Sequence, residues 1–312
     1  MSWLKKYPVI YLKGIAMGIA DAIPGVSGGT IALIAGIYEQ LIDSIKAFDI
    51  TAIKYLRKFQ IRDFWRYVNG NFLLTLVLGI ATSLVTLSHF VTFLLREYPI
   101  QIWSFFFGLI IISSAVVLRR INKWNPGVII SLLIGVAAAF LITKATPAQT
   151  PNELWFIFIS GSIAIIAMIL PGISGAFLLL LLGKYEYVYL ALRDLNLAII
   201  GVFIAGAITG LLSFSRAISW LLKNYHNSAI ALLSGFMIGS LNKIWPWKII
   251  TLFRENSEGE QIPLLEKNVL PAQYFQETGN DPFIFQAILF VAVGIFIVVL
   301  LEKISISRNK ST

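Results

Sequence analysis

The chain has no cysteine, only two histidines, and little charge: Asp, Glu, Lys and Arg make up 13% of its 312 residues. Without cysteine there are no disulfides and no thiolate metal sites, which says little about compartment. The two histidines, His89 and His226, lie outside any motif that would set one as a nucleophile and the other as its partner. The scarcity of charge excludes most. A soluble protein of this size needs far more of it to cover its surface, yet 57% of these residues are hydrophobic and the mean hydropathy is +0.80. The class implied is an all-α polytopic membrane protein.

Apolar segments of spanning length recur at about 72–95, 100–118, 126–143, 197–221, 229–241 and 283–301. Two further stretches, about 9–46 and 154–193, are apolar but interrupted by "DAIPGVSGGT" at 21–30 and "MILPGISGAF" at 168–177. No separate soluble domain is visible, so the chain reads as one membrane domain in two halves, 1–150 and 151–312. Lys5, Lys6 and the small residues Ala20 and Ala22 resemble a secretory leader, but the matching segment at 154–170 is internal, which argues against cleavage.

The halves repeat. A shift of 147 aligns Gly14 with Gly161, Pro24-Gly25 with Pro171-Gly172, Ser27-Gly28 with Ser174-Gly175, and Tyr38-Glu39 with Tyr185-Glu186. Downstream a shift of 127 pairs Gly79 with Gly206, Tyr98 with Tyr225, and Gly108 with Gly235. The difference is an extra basic and aromatic segment near 47–70, read as an amphipathic helix on the cytoplasmic leaflet or as a charged loop. Each half then holds a broken hairpin and three spans. An odd number of crossings inserts the second half from the opposite face, an inverted-topology repeat. Length favours re-entrance for the second hairpin, because 154–170 is near the lower limit for crossing. A polar, acidic excursion at about 242–282 belongs outside, with Trp245 and Trp247 as interfacial anchors.

The net charge of +9 would suggest nucleic acid in a soluble domain. Here most basic residues fall on the side of the termini, so the excess is a topology signal that places both ends in the cytoplasm. No nucleic-acid partner is implied.

Backbone without helical hydrogen bonds survives in lipid only where protein or a water-filled cavity covers it. Pro24 and Pro171 lack an N–H, and Gly25, Gly28, Gly172 and Gly175 admit conformations closed to other residues. A new apolar run follows each break, so Ser27 and Ser174 mark helix N-termini whose free N–H groups point into the gap. Two such ends near the midplane suit an anion, phosphate above all. The plainer alternative is a pair of packing kinks. Asp21 is an intramembrane carboxylate and hence a functional candidate; its repeat partner is Met168. Glu39 and Glu186 either snorkel to the interface or serve the site. Arg216, in "SFSRAISWLL", either snorkels or meets a phosphate headgroup.

"GIADAIPGVSGGTIALIAGIYEQLI" and "GSLNKIWPW", with the second "PGISG" and "FSR", resemble the polyprenyl-phosphate transporter family of bacterial undecaprenyl phosphate translocases. The resemblance covers nearly the whole chain. It implies a flippase that returns undecaprenyl phosphate from the outer to the inner leaflet of the bacterial cytoplasmic membrane, recycling the lipid carrier for cell-wall synthesis. By position, Asp21, Pro24, Gly25, Ser27, Gly28, Gly29, Thr30 and Glu39 match the first motif. Pro171, Gly172, Ser174, Gly175 and Glu186 match the second, and Arg216 the "FSR" element. The second motif ends in Ala176-Phe177 where the first has Gly29-Thr30, so the two halves need not play equal roles. Ser27, Gly28, Gly29, Thr30, Ser174, Gly175 and Arg216 are thereby assigned to the headgroup, and Asp21, Glu39 and Glu186 to coupling or gating, with protons or sodium as the ion. No catalytic residue, metal or cofactor is expected.

The rival expectation is an integral-membrane undecaprenyl diphosphate phosphatase. Such enzymes also carry inverted repeats, with a PGxSRS-like motif. Here Gly28 and Gly175 follow the two serines, so the motif arginine is missing twice, and hydrolysis lacks its charge stabiliser and nucleophile. An anion transporter or channel is the other alternative, since helix termini suit a free anion too.

Overall fold

The computed structural model describes residues 3–23, 25–255 and 261–310. Pro24, expected as a structural break, lies outside the described residues. Among the described residues, four helices are long and apolar enough to cross a membrane: α6 (Gly70–Glu97), α7 (Pro99–Leu118), α8 (Pro126–Lys144) and α12 (Leu197–Asn224). At 1.5 Å per residue the 28 residues of α6 reach about 42 Å, more than a hydrocarbon core of roughly 30 Å. Exposed apolar side chains such as Ile130, Leu133 and Leu141 on α8 and Phe285 and Phe296 on α15 (Ile284–Lys310) face outward, as a lipid solvent requires. The protein is a multi-pass membrane protein. The spans expected at 229–241 and 283–301 correspond to α13 (His226–Ser240), of 15 residues, and to the apolar part of α15, Ile284–Leu300.

Helices pair along glycine contacts. The first helix, α1 (Trp3–Asp21), packs along α6, and α9 (Leu154–Ile169) along α12; α7 packs along α15, and α8 along α13. At the first crossing Gly14 and Gly79 face each other, and a Cβ on either would strike the other helix's backbone. Gly161 and Gly206 do the same between α9 and α12, Gly108 and Gly294 between α7 and α15, and Gly135 and Gly235 between α8 and α13. With no hydrophobic drive between helices in lipid, such close approach is what holds them together.

Backbone detail recurs in both halves. Gly25 has φ +86° and Gly172 +83°; Gly36 has +68° and Gly183 +63°. Helices α6 and α12 each have 28 residues and end on Tyr98 and Tyr225, with φ −131° and −134°. Between α1 and α6 lie α2 (Gly28–Ile34), α3 (Tyr38–Lys46), α4 (Ile50–Arg57) and α5 (Ile61–Tyr67); between α9 and α12 lie only α10 (Gly175–Leu181) and α11 (Tyr185–Arg193). The last two are bent by 106° at their junction.

One expectation needs correction. The segment 47–70 is two helices rather than one, because Phe59 takes a left-handed φ of +54° between them. Asp49 caps the first of the pair, accepting from Thr51 N at 2.7 Å and Ala52 N at 3.1 Å, and those bonds hold its carboxyl below the usual range although burial opposes this. Ile50, Ile53 and Phe59 are exposed, which suits a lipid surface. The chain is mostly helical, as an all-α membrane protein requires; to this the excursion adds one hairpin, in which β1 (Lys248–Glu255) pairs antiparallel with β2 (Gln261–Asn268), followed by α14 (Pro271–Thr278). Trp245 and Trp247 donate their indole N–H groups to Val269 O and Pro282 O, each at 2.8 Å, so they fasten this subdomain.

Candidate functional site at the paired helix breaks

The α1 helix ends at Asp21 and the chain turns helical again at Gly28; α9 ends at Ile169 and restarts at Gly175. Positive φ at Gly25 and Gly172 reverses the backbone where a side chain would be strained. Ser27 is extended and caps α2, its Oγ accepting from Gly29 N at 3.0 Å. The Gly28 N–H donates to Asp21 Oδ1 at 2.7 Å. A Cβ on Gly28 would lie 2.5 Å from Asp21 Oδ2, so glycine lets the carboxylate lie against the first turn of α2. A carboxylate there satisfies orphan donors and meets the positive end of the helix dipole. Ser174 caps α10 in the same extended conformation but with no side-chain hydrogen bond, and the position matching Asp21 is Met168.

The breaks touch each other. Ser27 Oγ donates to Met168 O at 2.9 Å, and Gly172 N donates to Thr30 Oγ1 at 2.8 Å. A Cβ on Gly29 would collide with the Ile169 carbonyl. Ser27, Thr30 and Ser174 are buried, as are Gly25, Gly28, Gly29, Pro171, Gly172 and Gly175. The structure thus brings the two motifs expected from the repeat into one polar contact inside the bundle. The Thr30–Gly172 bond joins residues 142 apart, and local sequence carries no signal for it.

Each helix that follows a break is held at its far end by another part of the chain. Carbonyls at the end of α2 accept from Lys13 Nζ (Ala35 O, 2.6 Å) and from Arg120 just past α7 (Leu33 O, 3.3 Å). The end of α10 is held by the segment just past α8: Ala148 N donates to Leu181 O at 2.8 Å. Buried Lys184 donates to Thr150 O at 2.9 Å and Asn152 Oδ1 at 2.6 Å.

Other expected residues lie apart from the breaks. Glu39 is exposed in the first turn of α3, 3.8 Å from His226 Nδ1. Glu186 is half-buried in the first turn of α11. Arg216 is exposed on α12 and donates to Leu212 O at 2.8 Å and Phe48 O at 3.2 Å, joining neither break. Nearby, Ser219 donates to Asp43 Oδ1 at 2.7 Å and Lys223 stands 3.1 Å from Asp43 Oδ2, so Arg216 belongs to a polar seam between α3 and α12. Among the described residues, no group of His, Asp and Glu is arranged to hold a metal ion.

Comparison with known proteins gives the family. Residues 17–262 match the family model described as VCA0040-like, undecaprenyl phosphate translocase-like. A polyprenyl-phosphate transporter of Vibrio cholerae is 43% identical over 95% of this chain and 96% of its own length. One from Staphylococcus aureus is 33% identical over 75% of this chain and 85% of its own. No solved structure matches. Both breaks fall inside the matched region, and the chain belongs to the undecaprenyl phosphate translocase-like family, a family of transporters and not of enzymes.

Proposed function

We propose that this protein carries a polyprenyl phosphate, undecaprenyl phosphate, from the outer to the inner leaflet of the bacterial cytoplasmic membrane, with both termini in the cytoplasm, recycling the lipid carrier for cell-wall synthesis. A phosphate headgroup cannot cross hydrocarbon alone, whereas the tail needs no carrier. The headgroup therefore needs a polar crossing. The observation that supports this reading is the direct contact of the two buried breaks, through Ser27 to Met168 and Gly172 to Thr30. The halves are taken as inverted repeats whose re-entrant hairpins rock around that contact, opening it to each leaflet in turn.

Ser27, Gly28, Gly29, Thr30, Ser174 and Gly175 offer the headgroup hydroxyls and amides. At α2 the Asp21 carboxylate already takes the Gly28 amide, so an arriving phosphate competes with it. Protonation of Asp21, or a cation beside it, removes the competitor and couples the headgroup to an ion gradient; Glu39 and Glu186, near the mouths, gate. Arg216 receives the headgroup on the α3–α12 side after it leaves the breaks. An apolar groove of about 230 Å³ between α1, α6 and α7, lined by Ile19, Ile23, Phe90, Leu94, Ile102 and Phe105, adjoins the first break at Ile23 and suits an isoprenoid tail.

The test is reconstitution in sealed vesicles. Leaflet reversal of a polyprenyl phosphate with no release of inorganic phosphate is expected, and Ser27→Leu abolishes it while the protein still inserts. Phosphate release from the diphosphate would instead identify an enzyme, and uptake of free anions without lipid reversal an anion transporter.

A further inference from the structure

On the β-hairpin side of the breaks a polar cleft of about 80 Å³ is lined by Lys144, Lys243, Lys248 and Glu266, with Asn242 and Asn268. Three cations face one carboxylate. Lys243 Nζ and Lys248 Nζ converge on the same oxygen, Glu266 Oε2, at 3.0 and 3.5 Å. The Lys248 side chain is 8% exposed, and its Nζ is buried with no hydrogen-bond partner among the described residues. It lies 4.0 Å from the centroid of the Trp103 ring, a contact that supports a cation without accepting its protons in hydrogen bonds.

This arrangement is costly as mere scaffolding. Burying an ammonium demands an anion and hydrogen bonds, and one carboxylate oxygen shared between two amines supplies too little of either. Burial, reinforced by Lys243, lowers Lys248 to about 8 despite Glu266. Burial would raise the Glu266 carboxyl, but Lys248 and Lys243 together hold it below the usual carboxylate range. An anion with three or four oxygens would satisfy both amines where one carboxylate does not.

The cleft also adjoins the breaks. The Lys243 stem runs over the Gly25 turn, where a Cβ would lie 2.8 Å from Lys243 Cγ. Its ammonium stands 4.8 Å from the centroid of Phe177, in the first turn of α10, the helix whose N-terminus has no side-chain cap. The walls are tied: Asn242 Nδ2 donates to Thr143 Oγ1 at 2.8 Å, and Asn268 Nδ2 to Asn242 O at 2.6 Å.

We propose that this cleft is a receiving site for a phosphate monoester, held by Lys243 and Lys248, and that Glu266 is its resident counter-ion, displaced when the phosphate arrives. The inference rests on the polyprenyl phosphate reading for its lipid source; free phosphate offers the same chemistry. Displacement frees β2 from both lysines, so headgroup arrival would loosen the hairpin over the breaks.

Equilibrium binding to the full chain in lipid nanodiscs tests it, using farnesyl phosphate, farnesol and inorganic phosphate as probes. Lys243→Gln and Lys248→Gln are each expected to weaken farnesyl phosphate at least tenfold and leave farnesol unchanged. Glu266→Gln should tighten farnesyl phosphate several-fold, a gain that misfolding cannot produce. Equal farnesyl phosphate affinity in wild type and all three variants overturns the inference, and leaflet reversal by the same variants at the wild-type rate would show that the transporter reading survives it. If inorganic phosphate binds with this variant pattern and farnesyl phosphate does not, the anion site stands and the lipid reading falls. Binding of neither anion to wild type overturns the site outright.

Discussion

Replacing Thr30 by valine preserves the shape of a side chain that is 0% exposed and removes the oxygen to which Gly172 N donates at 2.8 Å. The Gly172 amide lies in a buried turn with φ +83°, where a neighbouring backbone cannot easily supply another acceptor. Stranding it costs about 1–3 kcal/mol, or roughly 5- to 150-fold in the folded-to-unfolded ratio. Serine at the same position keeps the oxygen and loses a methyl, worth about 1 kcal/mol with its small cavity. The expected order of thermal stability in detergent is therefore wild type, then Thr30→Ser, then Thr30→Val. Apolar packing alone predicts the reverse order for the two variants, since valine fills the space and adds greasy surface. In vesicles the valine variant should also lose most leaflet reversal, because only the Ser27–Met168 bond is then left to tie the breaks across the halves. Valine melting at or above serine would refute the claim that the Thr30–Gly172 hydrogen bond holds the breaks together.

Gly29→Ala should be worse than an exposed glycine change, because its Cβ meets the Ile169 carbonyl; a loss of about 1–3 kcal/mol in melting experiments is expected, against almost none for Gly201→Ala, which has open space. Asp21→Asn keeps an acceptor for the Gly28 amide but no charge, so the protein should fold while its transport loses dependence on the ion gradient; a variant still driven like wild type removes Asp21 from coupling. Lys248, faced by Glu266, Lys243 and Lys144, is lowered by burial to about 8 from an ordinary 10.5, so the unfolded chain binds the extra proton between those values. Stability should therefore rise with pH from about 8 to 10.5, by at most about 3 kcal/mol, and the rise should vanish in Lys248→Met; identical pH profiles for the two proteins would exclude a strained ammonium.

Punctuation residues made much of the fold legible. Pro-Gly and Ser-Gly inside apolar runs have few uses besides ending one helix and starting another, and α1, α2, α9 and α10 begin and end around them. Glycines Gly14, Gly79, Gly161 and Gly206 recur in step because α1 crosses α6, and α9 crosses α12, at matching glycines. The β-hairpin was hidden for a different reason. "KIITLFRE" and "QIPLLEKN" are apolar enough for strands, but a polar setting outside the spans reads as loop until their pairing is seen. Arg216 was legible only in part, because position along a span fixes depth and not facing; its guanidinium donates to Phe48 O and joins neither break. Lys243 and Lys248 were counted only as charges on one side, since nothing nearby in sequence announces Glu266, 23 residues past Lys243.

The difference between the halves follows from these same contacts. Where the first break holds its own carboxylate against α2, the second has Met168, whose carbonyl accepts from Ser27. The anion that α10 lacks from its own half is answered by cations arriving from elsewhere: Lys243 reaches the first turn of α10 from the segment after α13. The first break thus holds its own carboxylate, while Lys243, paired with Glu266, runs from the Gly25 turn to the first turn of α10 and brings positive charge to the second. A dianionic headgroup entering from the β-hairpin side meets attraction first, at Lys243 and Lys248, and competition second, at Asp21. Binding order and ion dependence would then belong to different halves: charge reversal at Lys243 should cut affinity whatever the gradient, and neutralising Asp21 should change the response to the gradient at unchanged affinity for the cleft. A single variant that altered both together would mean that the two breaks act as one site.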